Sequence, residues 1–153
     1  MLTQVACPAC GIANRINGTK ELSSGKCGAC GASLSLDTPI DVSDDAFSRH
    51  LAVTKGPVIV DVWAPWCGPC RLMAPNFEGA ARQLVGIARL IKLNADEIAE
   101  PARLNVRGIP ALIMFQDGKE ISRQTGLQTR ERITAWARKF ADAASPMKSN
   151  LQT

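Results

Sequence analysis

Six cysteines fall into three Cys-x-x-Cys pairs: Cys7/Cys10, Cys27/Cys30 and Cys67/Cys70. Two thiols at this spacing can share a metal ion or alternate between dithiol and disulfide. In a reducing compartment such pairs more often do one of these than form structural disulfides. The first two pairs read Cys-x2-Cys-x16-Cys-x2-Cys, within the spacing of a four-cysteine zinc site. Gly11 and Gly31 follow them and let the backbone turn toward an ion. Four thiolates closing a tetrahedron leave no position for water, so one structural Zn2+ is expected on Cys7, Cys10, Cys27 and Cys30. Iron is the main rival metal, and oxidation that expels the ion would make the site a switch.

The third pair needs a different setting. Pro57-Val58-Ile59-Val60-Asp61-Val62-Trp63 reads as a strand buried on both faces, and a helical pattern runs from Cys67 to about Leu84. Cys67 thus stands where a strand ends and a helix begins. Free backbone N–H groups and the positive end of the helix dipole favour a thiolate there. Cys70, one turn deeper, can reach the Cys67 sulfur and resolve a mixed disulfide. Gly68 and Pro69 permit the tight turn without a bulky side chain over the sulfurs. Asp61 is costly in an apolar strand unless it has a purpose or a raised pKa.

The other elements follow from pattern. Ile40 and Val42 make a short strand, and Ser43 can cap a helix through Phe47 and Leu51. Pro75 falls inside the helix that follows Cys67 and should kink it, since it removes a donor and crowds the previous turn. Residues 88–94 form a second buried strand, and a short helix is expected near 98–104. Ala111–Phe115 and Glu120–Thr125 flank Asp117-Gly118, a hairpin signal. A last helix starts at Thr129, with Ile133, Trp136, Ala137 and Phe140 on one face. The order βαβαβαββα describes an α/β domain with a mixed sheet. Residues 1–38 hold four of the six cysteines and none of the seven aromatics, so they need a staple. The expected organisation is a zinc-binding module at 1–38, an α/β domain at 39–145 and a flexible tail at 146–153.

Val60-Asp61-Val62-Trp63-Ala64-Pro65-Trp66-Cys67-Gly68-Pro69-Cys70-Arg71 resembles the active-site signature of thioredoxins. Lys92-Leu93-Asn94-Ala95-Asp96, Val106-Arg107-Gly108-Ile109-Pro110 and Gly126 follow in the family's order. With its added cysteine segment the chain looks like the bacterial thioredoxin-2 type, which carries an N-terminal zinc module. The resemblance implies the thioredoxin fold, a central mixed sheet flanked by helices, with a small zinc-ribbon-like module before it. It implies a protein-disulfide reductase with Cys67 as nucleophile and Cys70 as resolving thiol. Asp61 would accept the Cys70 proton, with Lys92 tuning the carboxylate. Ile109-Pro110 would be a cis-proline turn whose backbone pairs with an extended target. Trp66, Gly68, Pro69 and Gly126 would shape the same groove, and Trp63 fits core packing better. Partners would be proteins with accessible disulfides and a flavin- and NADPH-dependent thioredoxin reductase. Val62, Ala111 and Leu127 depart from the commonest family residues, and Leu127 bears on target preference.

The chain shows no dinucleotide fingerprint, so no nucleotide or flavin of its own is expected. A net charge of +4 spread along the chain makes no nucleic-acid stripe, and no run of about 18 apolar residues suggests a membrane span. Without a leader pattern at its start, a cytoplasmic monomer is expected. The alternative is a redox-sensitive binding or chaperone-like module in which the zinc cysteines act as an oxidation switch. His50, the lone histidine, is expected at the surface or at a helix end rather than on a metal, and Asp96-Glu97-Glu100 reads as a solvated face and helix start.

Overall fold

The computed structural model describes residues 1–17, 24–99 and 103–143. Two short strands, β1 (Gln4–Ala6) and β2 (Ala13–Arg15), pair antiparallel as the frame of the first cysteine loop. The domain that follows runs β3 (Ile40–Val42), α1 (Asp44–Val53), β4 (Pro57–Trp63), α2 (Gly68–Gln83), β5 (Arg89–Asn94), β6 (Ala111–Gln116), β7 (Lys119–Thr125) and α3 (Arg130–Ala143). Its sheet has the order β3-β5-β4-β6-β7, parallel among the first three and antiparallel across β4–β6 and β6–β7. The expected α/β architecture with a mixed sheet is therefore present. The short helix expected near 98–104 lies partly outside the described residues. Ahead of it a single 3-10 turn covers Ala95–Glu97.

Strand periodicity sorts β4 and β5 between two apolar layers. Val58, Val60 and Val62 join Ile91 and Leu93 on the face covered by Phe47 of α1. Ile59 and Leu90 face Met73 and Phe77 of α2 and Ile133 and Trp136 of α3. By the same two-residue period, Asp61 and Lys92 fall on the α2 side. They sit directly opposite each other across β4 and β5.

Local chemistry sets the helix ends. Ser43 Oγ accepts the Ala46 N–H at 3.1 Å, and Asp44 and Asp45 occupy the first turn, where the dipole favours them. Thr129 Oγ1 accepts the Arg132 N–H at 3.2 Å, as expected for a helix beginning there. Helix α2 continues through Pro75. The Asp117-Gly118 turn takes positive φ at both residues, 52° and 83°. That conformation suits a two-residue hairpin joining β6 to β7.

The N-terminal segment is not a loose appendage. Leu2, Val5, Cys7, Ile16, Cys27 and Leu34 form a small buried cluster against Val85 of the domain. Backbone bonds stitch the segment on: Leu2 N–H to Gly86 O at 3.0 Å, Thr3 N–H to Lys55 O at 3.0 Å, and Lys55 N–H to Gln4 O at 2.8 Å. Gly56 permits this approach, for a Cβ there would lie 2.9 Å from Leu2 Cα. Lys55, Gly86 and Arg89 all lie at the N-terminal ends of the parallel strands, whereas Cys67 follows β4. The two cysteine systems therefore lie toward opposite ends of β4, a strand about 20 Å long. No helix among the described residues is long and apolar enough to cross a membrane.

Candidate active site and candidate metal centre

Beyond Trp63 the chain turns through Ala64–Trp66, closed by the Cys67 N–H to Ala64 O at 3.1 Å and Arg71 Nη1 to Pro65 O at 2.6 Å. Cys67 is the N-cap of α2, and its Sγ accepts the Cys70 N–H at 3.2 Å. Cys67 and Cys70 form a disulfide with Cα atoms 5.3 Å apart. Both residues are buried against Ala64, with Trp63 and Ile109 alongside. A thiolate at Cys67 would meet an N–H donor and the positive helix end, which is the physical cause expected from the strand–helix junction.

Three more segments close around the pair. Ile109–Pro110 is a cis peptide, and the Ile109 carbonyl lies 3.8 Å from Cys67 Sγ. Gly126 N–H bonds Pro110 O at 2.8 Å, tying the end of β7 to this turn. Trp66 is 67% exposed, as is Leu72, and Leu127 is 50% exposed. Trp66 and Leu127, next in sequence to Cys67 and Gly126, thus hold apolar side chains out to solvent. Gly68 and Pro69 form the first turn of α2, where proline lacks only an N–H that would have no helical partner.

Asp61 is 1% exposed, and its Oδ1 has no partner. Burial pushes its carboxyl up to about 7, with Lys92 pulling it down and Asp41 pushing it up. The Lys92 ammonium lies 4.4 Å from the Trp63 ring centroid, and the indole N–H of Trp63 bonds Asp41 Oδ1 at 3.2 Å. Trp63 is thus partly core and partly the platform for Lys92.

Sequence reasoning missed Asp96 as a site residue. It is not merely solvated, because its Oδ2 accepts the Trp66 indole N–H at 3.0 Å across a sequence distance of 30 residues. No local signal pairs these two. Glu97 is exposed, and Glu100 lies outside the described residues. His50 stands in the last turn of α1, the helix-end position expected of it, but not at the surface. It is 3% exposed, turned into the seam between α1 and the N-terminal segment, with Nδ1 unpartnered. Burial and the nearby Arg89 charge lower its pKa to about 4, which keeps it neutral.

The other four cysteines converge. Their sulfurs all lie within 4.8 Å of one another, with Cys7–Cys30 and Cys10–Cys27 at 3.6 Å. A tetrahedron with Zn–S bonds of about 2.3 Å has edges of about 3.8 Å, so a divalent ion fits this set. Each loop turns its amides inward: the Ala9 and Cys10 N–H groups approach Cys7 Sγ at 3.3 and 3.4 Å, and the Ala29 N–H approaches Cys27 Sγ at 3.4 Å. Asn14 was not singled out from sequence, yet its amide donates to Cys27 Sγ at 3.4 Å while its Oδ1 accepts the Gly28 N–H at 3.0 Å. That donation, followed by the Cys30 and Ala29 amides, lowers the Cys27 thiol to about 6. Cys10 goes the other way. The Ile12 amide favours its thiolate, but burial and the neighbouring sulfurs outweigh that and push it to about 12. Four sulfurs this close cannot all ionise unless a cation joins them.

Comparison with known proteins agrees with this geometry. The thioredoxin family model matches residues 38–139. A thioredoxin of Pseudomonas aeruginosa is 38% identical over 98 residues, 63% of this chain and 91% of its own. Thioredoxin C-3 of Corynebacterium nephridii is 34% identical over 137 residues, 86% of this chain and 91% of its own, so that alignment extends past the matched domain. Among solved structures, a point-mutant thioredoxin from Halobacterium salinarum superposes with a TM-score of 0.59 at 31% identity, covering 70% of this chain and 94% of that one. With a reactive pair at a helix start inside that fold, the chain belongs to the thioredoxin family and is a thiol–disulfide oxidoreductase.

Proposed function

We propose that the protein is a protein-disulfide reductase that works through Cys67 and Cys70. The observation that carries this reading is Cys67 Sγ at the start of α2, 3.2 Å from the Cys70 amide, in a domain whose central strand buries Asp61 with Oδ1 unpartnered. In the dithiol state the Cys67 thiolate attacks one sulfur of a target disulfide. A Cys67–target S–S bond forms, the target bond breaks, and the other target sulfur leaves as thiolate. Cys70 then gives its proton to Asp61, through water, and its thiolate attacks Cys67 Sγ. The second target thiolate departs, and two electrons have passed from the dithiol to the target. A carboxyl poised at about 7 suits this proton acceptance at neutral pH. Lys92, opposite Asp61, stabilises the carboxylate once formed. Trp66, Gly68, Pro69, Ile109, Pro110 and Gly126 form the target groove, and the Ile109 backbone offers pairing to an extended segment. Leu127, exposed next to Gly126, is the residue we assign to target preference.

The re-reducing partner is a flavin- and NADPH-dependent thioredoxin reductase, and the protein acts as a cytoplasmic monomer. Residues 1–38 are a module in which Cys7, Cys10, Cys27 and Cys30 hold one structural Zn2+, followed by a domain at 39–145 and a tail at 146–153. The ion supplies cross-linking and charge compensation; a closed four-sulfur site takes no part in hydrolysis. The scaffold alternative gains little support, because a scaffold has no use for a buried ionisable group in the strand that leads to a reactive pair.

Cys70→Ser tests the reading. The variant should accumulate covalent complexes with target proteins through Cys67, and these should dissolve on reduction. Wild type should consume NADPH with insulin and thioredoxin reductase, whereas Cys67→Ser should not. Capture of the same partners non-covalently by a double Cys67→Ser, Cys70→Ser variant, with no trapping by Cys70→Ser, would replace the reductase with a scaffold.

A further inference from the structure

Arg89 begins β5, in register with Val58 of β4, and is 1% exposed. Its two-residue period puts it on the α1 face with Ile91, where the N-terminal segment docks. Nη1 donates to Leu34 O at 2.5 Å and Nη2 to Ala6 O at 3.4 Å, while Nε has no partner. Those two carbonyls belong to different parts of the segment, one beyond the second cysteine pair and one just before Cys7. Among the described residues, none of the ion pairs supplies Arg89 with a carboxylate. A buried charge without a counter-charge is strongly destabilising. Something must offset it.

The neighbours narrow the choice. His50 faces Arg89 from α1 but is neutral. The nearest candidate by position is Cys7, itself buried and next in the chain after Ala6, whose carbonyl Arg89 Nη2 reaches at 3.4 Å. Four thiolates around one divalent ion carry a net charge of about −2. Resting on the reading that the four cysteines hold such an ion, we infer that Arg89 is the buried counter-cation of that centre. It also pins the centre to the end of the sheet remote from Cys67. Arginine suits both tasks, since it stays charged and its planar fork reaches two carbonyls at once. Charge on the metal centre and docking of the segment are then one coupled equilibrium. Arg89 is a positioning residue in that scheme, with no part in the thiol exchange.

The test compares zinc binding by the full chain with Arg89, Arg89→Lys and Arg89→Gln. Each protein is purified under reducing conditions, and Zn2+ is titrated against a chromophoric chelator. Hydrogen exchange of the Thr3 and Lys55 amides, which bond across the seam, is followed in parallel. Removing a group that supports a metal site from outside its ligands typically costs 10–100-fold in affinity. Arg89→Gln should weaken Zn2+ binding by about that factor and speed exchange at both amides. Arg89→Lys should fall between Gln and wild type, because it keeps the charge but cannot span both carbonyls. Equal Zn2+ affinity in all three proteins overturns the inference. Gln matching wild type while Lys weakens also overturns it, because hydrogen bonding rather than charge would then be the role. Should wild type itself take up no stoichiometric Zn2+, the metal reading falls first and the inference with it. Insulin reduction is a separate readout, and folded variants should keep it.

Discussion

Replacing Asp61 by Asn should make the protein more stable, by an amount that grows with pH. The Asp61 carboxyl rises from 3.8 to about 7 because the surrounding apolar layer disfavours its charge. One pKa unit corresponds to about 1.4 kcal/mol, so a rise of about three units is worth up to about 4 kcal/mol. The folded chain holds this proton through the window from 3.8 to about 7, whereas the unfolded chain has already released it. Native stability from this group is therefore complete below the lower value and erodes as pH climbs through the window. Above about 7 the folded state bears the whole burden of a buried carboxylate. Asn has no proton to lose and escapes that burden. Denaturant unfolding of both proteins, kept in the Cys67–Cys70 disulfide form, would read the effect between about pH 4 and 8. Any titration of the four-cysteine centre is common to both and cancels in the difference. The gap between variant and wild type should widen by about 4 kcal/mol over that range. Parallel stability curves would refute the assignment of a raised pKa to Asp61. In the dithiol form the same substitution should slow release of the mixed disulfide by about 100-fold, as loss of a general base does.

Two further substitutions separate packing from function. Phe47 is 1% exposed, and its ring meets Phe115 edge-on at 5.8 Å between centroids. Phe47→Ala should cost about 3–5 kcal/mol in chemical denaturation, while the folded variant reduces insulin at the wild-type rate. Asp96→Asn weakens the acceptor that orients the exposed Trp66 indole. Because the bond is exposed, stability should change by less than about 1 kcal/mol. KM for a protein disulfide should rise a few-fold with kcat unchanged, and an unchanged KM would remove Asp96 from the target surface.

Much of the candidate active site was legible because its parts are local. Cys67, Gly68, Pro69 and Cys70 occupy one turn, and a buried strand running into a helical pattern locates that turn at a helix start. Asp61 stood out as a charge inside an apolar run. The two-residue period then assigns it to the α2 side together with Lys92. The four-cysteine set was likewise visible, since two short loops of fixed spacing can meet on one ion whatever surrounds them. The burial of His50 was not legible. Its helix neighbours include charged residues, and the surface that buries it arrives from the distant N-terminal segment.

Sequence alone therefore determined the reactive pair, the four candidate ligands and the order of strands and helices, because each rests on neighbours a few residues apart. Tertiary structure decided which end of the sheet receives the N-terminal segment, which acceptor holds Trp66, and why Arg89 is buried. Those contacts join residues 30, 55 and 83 positions apart. Periodicity can say which face a side chain takes, but not which remote backbone carbonyl will wait there. In the sequence Arg89 is only a charged residue within the strand expected to be buried at 88–94, with no partner in view. Only the docked segment, with its sulfurs and its two carbonyls, gives that charge a reason to be buried.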